Sequence, residues 1–252
     1  MSEFVRIEMD ARGVARLTID RGAKANALSS PVMRELIAAF KEVSSNDRLR
    51  TVVLSSAGDK SFIGGADVRE MAALDAGSAR GFITLVHETC QAARDCPVPV
   101  VARIQGHALG AGLELAATCD LRVASSRAVF GMPEVRIGLP SVVEAALLPR
   151  LIGTGRARWL VLTGANIDAE QALRWGLVEQ VVDPDALDPA IDALVNMLVA
   201  NGPLAIRAQK RLTQMWEDTP LESAIARSID MFVQGFARDE ASTMLRASAD
   251  RL

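Results

Sequence analysis

A buried strand that runs straight into a glycine-rich turn and an apolar helix is the feature that most constrains the fold of this chain. The apolar run Val100–Ile104 has the length of a strand, and the glycine-rich stretch 106–112 opens a helix that carries Glu114. Strand patterns separated by helical patterns indicate parallel crossover units, so we predict an α/β protein. Further strand patterns occupy residues 51–55, 121–124 and 178–182.

The two ends of the chain differ in pattern. Apolar and polar residues alternate over residues 5–9 and again over 15–19, around a turn at Arg12-Gly13, which predicts a β-hairpin. From Asp188 onward only helical patterns occur, with Pro203 and Pro220 at the breaks. We therefore predict an α/β core over residues 1–187 and a C-terminal helical region over 188–252.

Composition bounds the class of protein. The chain has 252 residues, half of them hydrophobic, which is enough for one large core. With 31 acidic and 28 basic residues, the net charge of −3 argues against nucleic acid or an anionic membrane as the partner. No apolar stretch is long enough to cross a bilayer, and the N-terminal residues lack the pattern of a signal peptide.

The cysteines and histidines predict no metal site. Cys90, Cys96 and Cys119 form no CxxC pair, so we expect buried, reduced thiols and a cytoplasmic protein. His87 and His107 have no partner at metal-ligand spacing and no GxSxG serine. We expect His107 to pack rather than to react.

Two glutamates stand in settings that suit acid and base chemistry. Glu114 lies in the first turn of the helix that the glycine turn opens, and Glu134 follows Met132-Pro133 after a short strand. Paired carboxyls can act as acid and base when their surroundings separate their pKa values, and free N–H groups at a helix start can stabilise an oxyanion. The residues alone leave two other interpretations open, a Glu that complements a helix dipole and a surface loop acid.

The chain resembles the crotonase, or enoyl-CoA hydratase/isomerase, family over nearly its whole length. Five stretches similar to family motifs follow one another in family order. They are Ala-Asn-Ala-Leu at 25–28, Ser-Phe-Ile-Gly-Gly-Ala-Asp at 61–67, the glycine turn and helix at 106–120, Phe130 to Gly138, and a helical stretch with matches at 162–164 and 168–178. The resemblance implies a spiral of ββα turns as the core, followed by helices that pack into a homotrimer or a dimer of trimers.

The resemblance also implies site residues. Ala66 and Ala111 match the oxyanion-hole positions, where backbone N–H groups hold a thioester oxygen. Glu114 and Glu134 match the catalytic carboxyls. Coenzyme A enters as part of the thioester substrate, so we expect no metal and no separate cofactor. The further substrate and CoA contacts would be Lys24, Ala25, Ala27, Gly65, Asp67, Gly110, Pro133 and Gly138.

The expected activity is hydration of a 2-enoyl-CoA. Glu114 would deprotonate water for attack at C3, and Glu134, protonated, would deliver a proton to C2. A Δ3-Δ2 isomerase or a dehydratase of a polar acyl group on the same scaffold would need only one proton-shuttling acid. A non-catalytic RNA-binding relative is a more distant alternative, but it would need a basic stripe, and none is evident.

One stretch departs from the family pattern. Where a typical hydratase has a glycine-rich loop, this chain has Ser141-Val-Val-Glu144. Ser-x-x-Glu is a capping-box pattern, so we favour a helix cap. The alternative is that Glu144 is a third acid in the acyl pocket. In either case the family resemblance places this stretch, with Val142, at the border of that pocket.

Overall fold

The computed structural model describes residues 3–250, which form ten strands and eleven α-helices. The strands are β1 (Val5–Met9), β2 (Val14–Ile19), β3 (Thr51–Ser56), β4 (Ser61–Ile63), β5 (Val100–Ile104), β6 (His107–Leu109), β7 (Leu121–Ser125), β8 (Val129–Gly131), β9 (Asn166–Asp168) and β10 (Gln180–Val182). The helices are α1 (Ser30–Ser44), α2 (Val68–Met71), α3 (Ala76–Asp95), α4 (Ala111–Thr118), α5 (Leu148–Ile152), α6 (Thr154–Thr163), α7 (Ala169–Trp175), α8 (Leu187–Val199), α9 (Pro203–Asp218), α10 (Leu221–Gly235) and α11 (Asp239–Ala249).

The larger sheet has six strands in the order β1-β2-β3-β5-β7-β10. Strands β1 and β2 form the predicted antiparallel hairpin, with Val5 opposite Ile19. Every later pair in this sheet is parallel. Parallel neighbours require crossover connections, which the intervening helices supply. The predicted α/β class and its parallel crossovers are therefore confirmed.

A second, smaller sheet positions the site. It has four short strands in the order β4-β6-β8-β9, and the first three run parallel. Parallel neighbours end at the same edge of a sheet, so the loops that follow β4, β6 and β8 meet there. Ligands of open parallel sheets bind at this edge, outside the carboxyl ends of the strands.

Helices cover both faces of the larger sheet. Side chains alternate along β3: Leu54 packs into the main core with α1 and α3, whereas Val53 faces the opposite side. On that opposite side α8 covers the sheet with Leu187, Ile191 and Val195.

The first C-terminal helix is thus a layer of the α/β core. Although the predicted boundary at 187/188 coincides with the start of α8, the apolar stripe of this helix is buried within the same chain. Helix α9 also contacts the core, because the buried Lys210 ammonium lies 2.8 Å from the Asp120 carboxylate. Over residues 3–250, no single helix is long and apolar enough to span a bilayer. One bent pair, formed by the segment 184–199 and α9, has sufficient length and apolar composition when the two parts are taken together.

Candidate active site

A cavity of about 830 Å³ opens at the carboxyl ends of β4, β6 and β8. Its wall contains Gly64–Ala66 after β4, Gly110–Ala111 after β6, and Pro133–Glu134 after β8. Glu114, one turn into α4, lines the same cavity. The fold therefore brings both predicted carboxyls and both predicted oxyanion positions to one site.

The Ala66 amide is free to face the cavity because of how its neighbours pair. Leu28 donates its amide to the carbonyl of Gly65 and accepts from the amide of Asp67. Successive amides of an extended chain point in opposite directions, so the Ala66 N–H points away from Leu28. Within the described part of the chain, this N–H donates no hydrogen bond.

The Ala111 amide is free because it opens a helix. Ala111 is the first residue of α4, and the first N–H groups of a helix have no acceptor within it. Gly110 before it adopts φ 51° and ψ −124°, a conformation that favours glycine. The Ala66 and Ala111 amides are thus two donors on one cavity wall, as an oxyanion hole requires.

Glu134 begins a short 3-10 turn after β8. Its Oε2 accepts a hydrogen bond of 2.6 Å from the Ser141 hydroxyl. Its Oε1 lies against Gly110, where a Cβ would collide with the carboxyl. Glycine is therefore required at position 110 for two reasons: its backbone conformation, and the space that the missing side chain leaves for the Glu134 carboxyl.

Glu114 is buried, with 4% of its surface exposed. Its Oε1 accepts a hydrogen bond of 3.2 Å from the Ala145 amide. Burial first, and then the Glu134 and Glu144 carboxyls, raise the pKa of Glu114 to about 8 against the opposing effect of the Ala145 amide. Glu114 therefore keeps its proton at neutral pH in this structure. The expectation of an ionised Glu114 is not met in this structure, because its burial favours the neutral form.

The predicted capping box is wrong. The short 3-10 helix Val143–Leu147 starts after Val142, and Ser141 lies outside it with its hydroxyl on Glu134. Glu144 instead lies 2.6 Å, through Oε1, from Nδ1 of His87 on α3. A cap is excluded because the backbone turns at Val143, with φ 40°, and carries the Glu144 carboxyl into the protein.

The two residues predicted to border the acyl pocket, Val142 and Glu144, lie in different places. Val142 lines the cavity, together with apolar side chains from α2, α3 and the loop after β8. Glu144 is buried directly behind this wall and, among the described residues, is not part of the lining. The large apolar side chains of the lining are Val68, Met71, Leu74, Phe82, Ile83, Val86, Leu109, Ile137, Leu139 and Val142.

A second cleft, of about 650 Å³, adjoins the first and shares Gly64 and Ala66 with it. The predicted CoA residues Lys24, Ala25, Ala27 and Asp67 line it. The Asp67 carboxylate also caps α2 and forms an ion pair of 2.7 Å with Arg21.

The other four predicted contacts lie apart from the CoA cleft. Gly65, Gly110 and Pro133 line the larger cavity. Gly138 ends the 3-10 turn that begins at Glu134, in the left-handed conformation, and is not among the described lining residues of either cleft.

Sequence reasoning missed His87 as a member of the site's surroundings. Its partner Glu144 is 57 residues away, on a segment that no spacing rule joins to α3. His107 is exposed, and its Nδ1 lies 2.9 Å from the Lys60 carbonyl oxygen. Within residues 3–250, no three His, Cys, Asp or Glu side chains are grouped so that they could hold a metal ion.

Comparisons with known proteins agree with this geometry. The model of the enoyl-CoA hydratase/isomerase family matches residues 10–250. A short-chain-enoyl-CoA hydratase of Clostridium acetobutylicum is 34% identical over 239 residues, covering 94% of this chain and 92% of that protein. A crotonyl-CoA hydratase of Syntrophomonas wolfei is 36% identical over 228 residues, covering 90% and 88%.

Solved structures share the whole fold. The crystal structure of an enoyl-CoA hydratase from Mycobacterium smegmatis superposes with a TM-score of 0.96 at 32% identity, covering 98% of this chain and 96% of that one. The chain belongs to the enoyl-CoA hydratase/isomerase family and has the crotonase fold. The prediction that it is an enzyme of this family is confirmed.

Proposed function

We propose that this protein is a 2-enoyl-CoA hydratase that adds water across the C2=C3 bond of an acyl thioester. The observation that carries the proposal is that two carboxyls, Glu114 and Glu134, line one cavity with two free backbone amides. Hydration needs an acid, a base and a donor set for the enolate oxygen, and this cavity supplies all three. The relatives named as hydratases support the same reaction.

The proposed mechanism uses one proton between the two carboxyls. The Ala66 and Ala111 amides hold the thioester oxygen as negative charge develops on it. One carboxyl accepts a proton from water as the oxygen attacks C3, and the other delivers a proton to C2. Because burial raises the pKa of Glu114 to about 8, Glu114 is the member that starts as the acid.

The proposed substrate has an apolar acyl group. The wall beyond the carboxyls is formed mainly by aliphatic side chains and Phe82, which bind alkyl or aryl chains by excluding water, and its charged members are Asp75, Arg80 and Arg136. Coenzyme A would lie in the adjoining cleft, beside Lys24 and Ala25, with its thioester between Ala66 and Ala111. No separate cofactor takes part in the proposed reaction.

We further propose that the C-terminal helices join copies of this chain into a homotrimer or a dimer of trimers. Helix α10 exposes a row of large apolar side chains, with Phe232 70% exposed. A contiguous apolar face of this kind is typical of an interface between subunits. Light scattering on the purified chain measures the mass directly, and a monomer would contradict the proposal. The row contains Ile225, Ile229, Phe232, Val233 and Phe236.

The function is tested with a panel of enoyl-CoA thioesters, from crotonyl to branched and aromatic acyl groups. We expect hydration of one or more of them, with little double-bond migration. Glu114→Gln and Glu134→Gln keep size and hydrogen bonding but remove the proton function. Each should lower the hydration rate by about 10²–10⁴-fold, the usual contribution of a general acid or base.

The same panel distinguishes the isomerase. If Glu114→Gln retains normal turnover, Glu134→Gln is inactive and 3-enoyl thioesters are converted, the isomerase explains the site and the hydratase proposal falls.

A further inference from the structure

The segment Ser141–Ala145 touches both catalytic carboxyls, one from each of its ends. The Ser141 hydroxyl donates to Oε2 of Glu134 at 2.6 Å. Four residues later, the Ala145 amide donates to Oε1 of Glu114 at 3.2 Å. This single segment is therefore the physical link between the two acids.

The middle of the segment is held in a costly conformation. Val143 has φ 40°, in the left-handed region where a β-branched residue is strained. Such strain persists only where surrounding contacts enforce it. The enforcing contact follows at once, because Glu144 turns inward and meets Nδ1 of His87 at 2.6 Å.

Glu144 is a buried carboxyl with an incomplete set of partners. It is 7% exposed, and within residues 3–250 its Oε2 is buried and has no hydrogen-bond partner. Burying a carboxyl in this way costs free energy that a helix cap or a surface position would not. The charged and titratable groups that face it are His87 and Cys90 from α3 and Glu114 from α4.

We propose, on the basis of the hydratase function above, that Ser141 and the His87–Glu144 pair are positioning residues for the two catalytic carboxyls. Ser141 fixes the direction of the Glu134 carboxyl. His87 holds Glu144, and Glu144 holds the strained backbone that presses the Ala145 amide against Glu114. The segment thereby sets the geometry of both proton transfers from behind the cavity wall.

The electrostatics agree with the geometry. Glu144 contributes to the raised pKa of Glu114, after burial and Glu134. A negative charge next to a carboxyl disfavours its ionisation, so Glu144 helps Glu114 to keep its proton. Glu134 is the other titratable group facing Glu114.

Variants of Ser141 distinguish an effect on the position of Glu134, which changes kcat, from an effect on folding, which changes the melting temperature. Ser141→Ala removes a hydrogen bond to a catalytic carboxyl, so kcat for hydration should fall about tenfold, with KM and melting temperature nearly unchanged. Ser141→Thr keeps the hydroxyl and should recover most of the rate. A normal kcat in Ser141→Ala would overturn this half of the proposal.

The Glu144 arm uses the pH profile. Glu144→Gln removes a carboxyl that raises the pKa of Glu114, so the alkaline limb of kcat should move to lower pH. Glu88→Gln is the matched control, since Glu88 is exposed on the same helix as His87 and loses the same charge. We expect its profile to match the wild type. If Glu144→Gln folds poorly, His87→Ala tests the same contact and should lower kcat more than it raises KM.

Two outcomes would overturn the Glu144 part of the proposal: an unchanged pH profile with only a lower melting temperature, or a rate loss at every pH as large as that of Glu134→Gln.

The positioning proposal and the hydratase proposal can be contradicted independently of each other. If the wild-type enzyme migrates double bonds instead of hydrating them, the same variants are scored on that reaction. If it processes no thioester of the panel, the pH dependence of unfolding of Glu144→Gln against the wild type still reports whether Glu144 affects the ionisation of Glu114.

Discussion

Two regions around the cavity, one in its wall and one mostly behind it, are built in different ways. The glycine wall, Gly64–Ala66 with Gly110–Ala111, acts through backbone: its amides face the cavity because of strand pairing, a helix start and a glycine conformation. The clamp, residues 141–145, acts through a hydroxyl, a buried carboxyl and one amide that reach across to other elements. A site built from special backbone conformations requires glycines, which are visible in the sequence. A site built from side-chain contacts between distant segments has no local sequence pattern.

The largest expected effect tests the glycine wall at Gly110. In Gly110→Ala the new methyl would collide with the Glu134 carboxyl, and φ 51° would be strained for alanine. Displacement of a catalytic group by about 1 Å can cost on the order of 10²-fold in rate. We therefore expect kcat to fall by about 10²-fold or more, measured on the preferred thioester.

Gly138→Ala is the matched control for that variant. Gly138 also has positive φ, 79°, but among the described residues nothing lies within 4 Å of the position that its Cβ would take. Gly138→Ala should lose about 1–2 kcal/mol of stability from its left-handed conformation, and Gly110→Ala, whose ψ of −124° lies outside that region, should lose about 1–3 kcal/mol or more. Only Gly110→Ala should lose most of its activity, and an equal loss in both would show that strain alone explains it.

A smaller effect tests the burial of Glu114 through the pH dependence of stability. The pKa of Glu114 is about 8 in the folded protein against 4.5 as the ordinary value. The folded state therefore binds a proton more tightly, and stability from this group falls as pH rises between those two values. The free energy of unfolding of Glu114→Gln minus that of the wild type should increase by about 1.4 kcal/mol per pH unit in this window.

Urea unfolding of both proteins at several pH values between 5 and 8 measures this difference. Glu88→Gln, which changes an exposed acid, should show no such slope. A constant difference between wild type and Glu114→Gln over the whole range would mean that Glu114 is ionised throughout.

Much of the fold followed from the sequence because its signals are periodic. The hairpin, the strand Val100–Ile104 and the helices after residue 187 all appear where alternation or helical spacing predicts them. The smaller sheet was largely missed because β4, β6 and β9 have three residues each, too few to show a period.

The site was predictable to the extent that backbone defines it. Gly64–Gly65 and Gly110 mark the turns that precede Ala66 and Ala111, and the family resemblance placed Glu114 and Glu134 beside them. Two features were not predictable: the proton on Glu114, which depends on burial, and the roles of Ser141 and Glu144. Ser-x-x-Glu fits a capping box, but the left-handed turn at Val143 directs both side chains elsewhere.

The central claim is that Glu114 and Glu134 act as one unit on one proton, and a double-variant cycle tests it most directly. Turnover is measured for Glu114→Gln, for Glu134→Gln and for the variant that carries both, on the thioester that the wild type hydrates fastest. Groups that act together lose their function together, so the double variant should be no slower than the slower single variant, within about tenfold. Losses that multiply would show two independent carboxyls and would contradict the account.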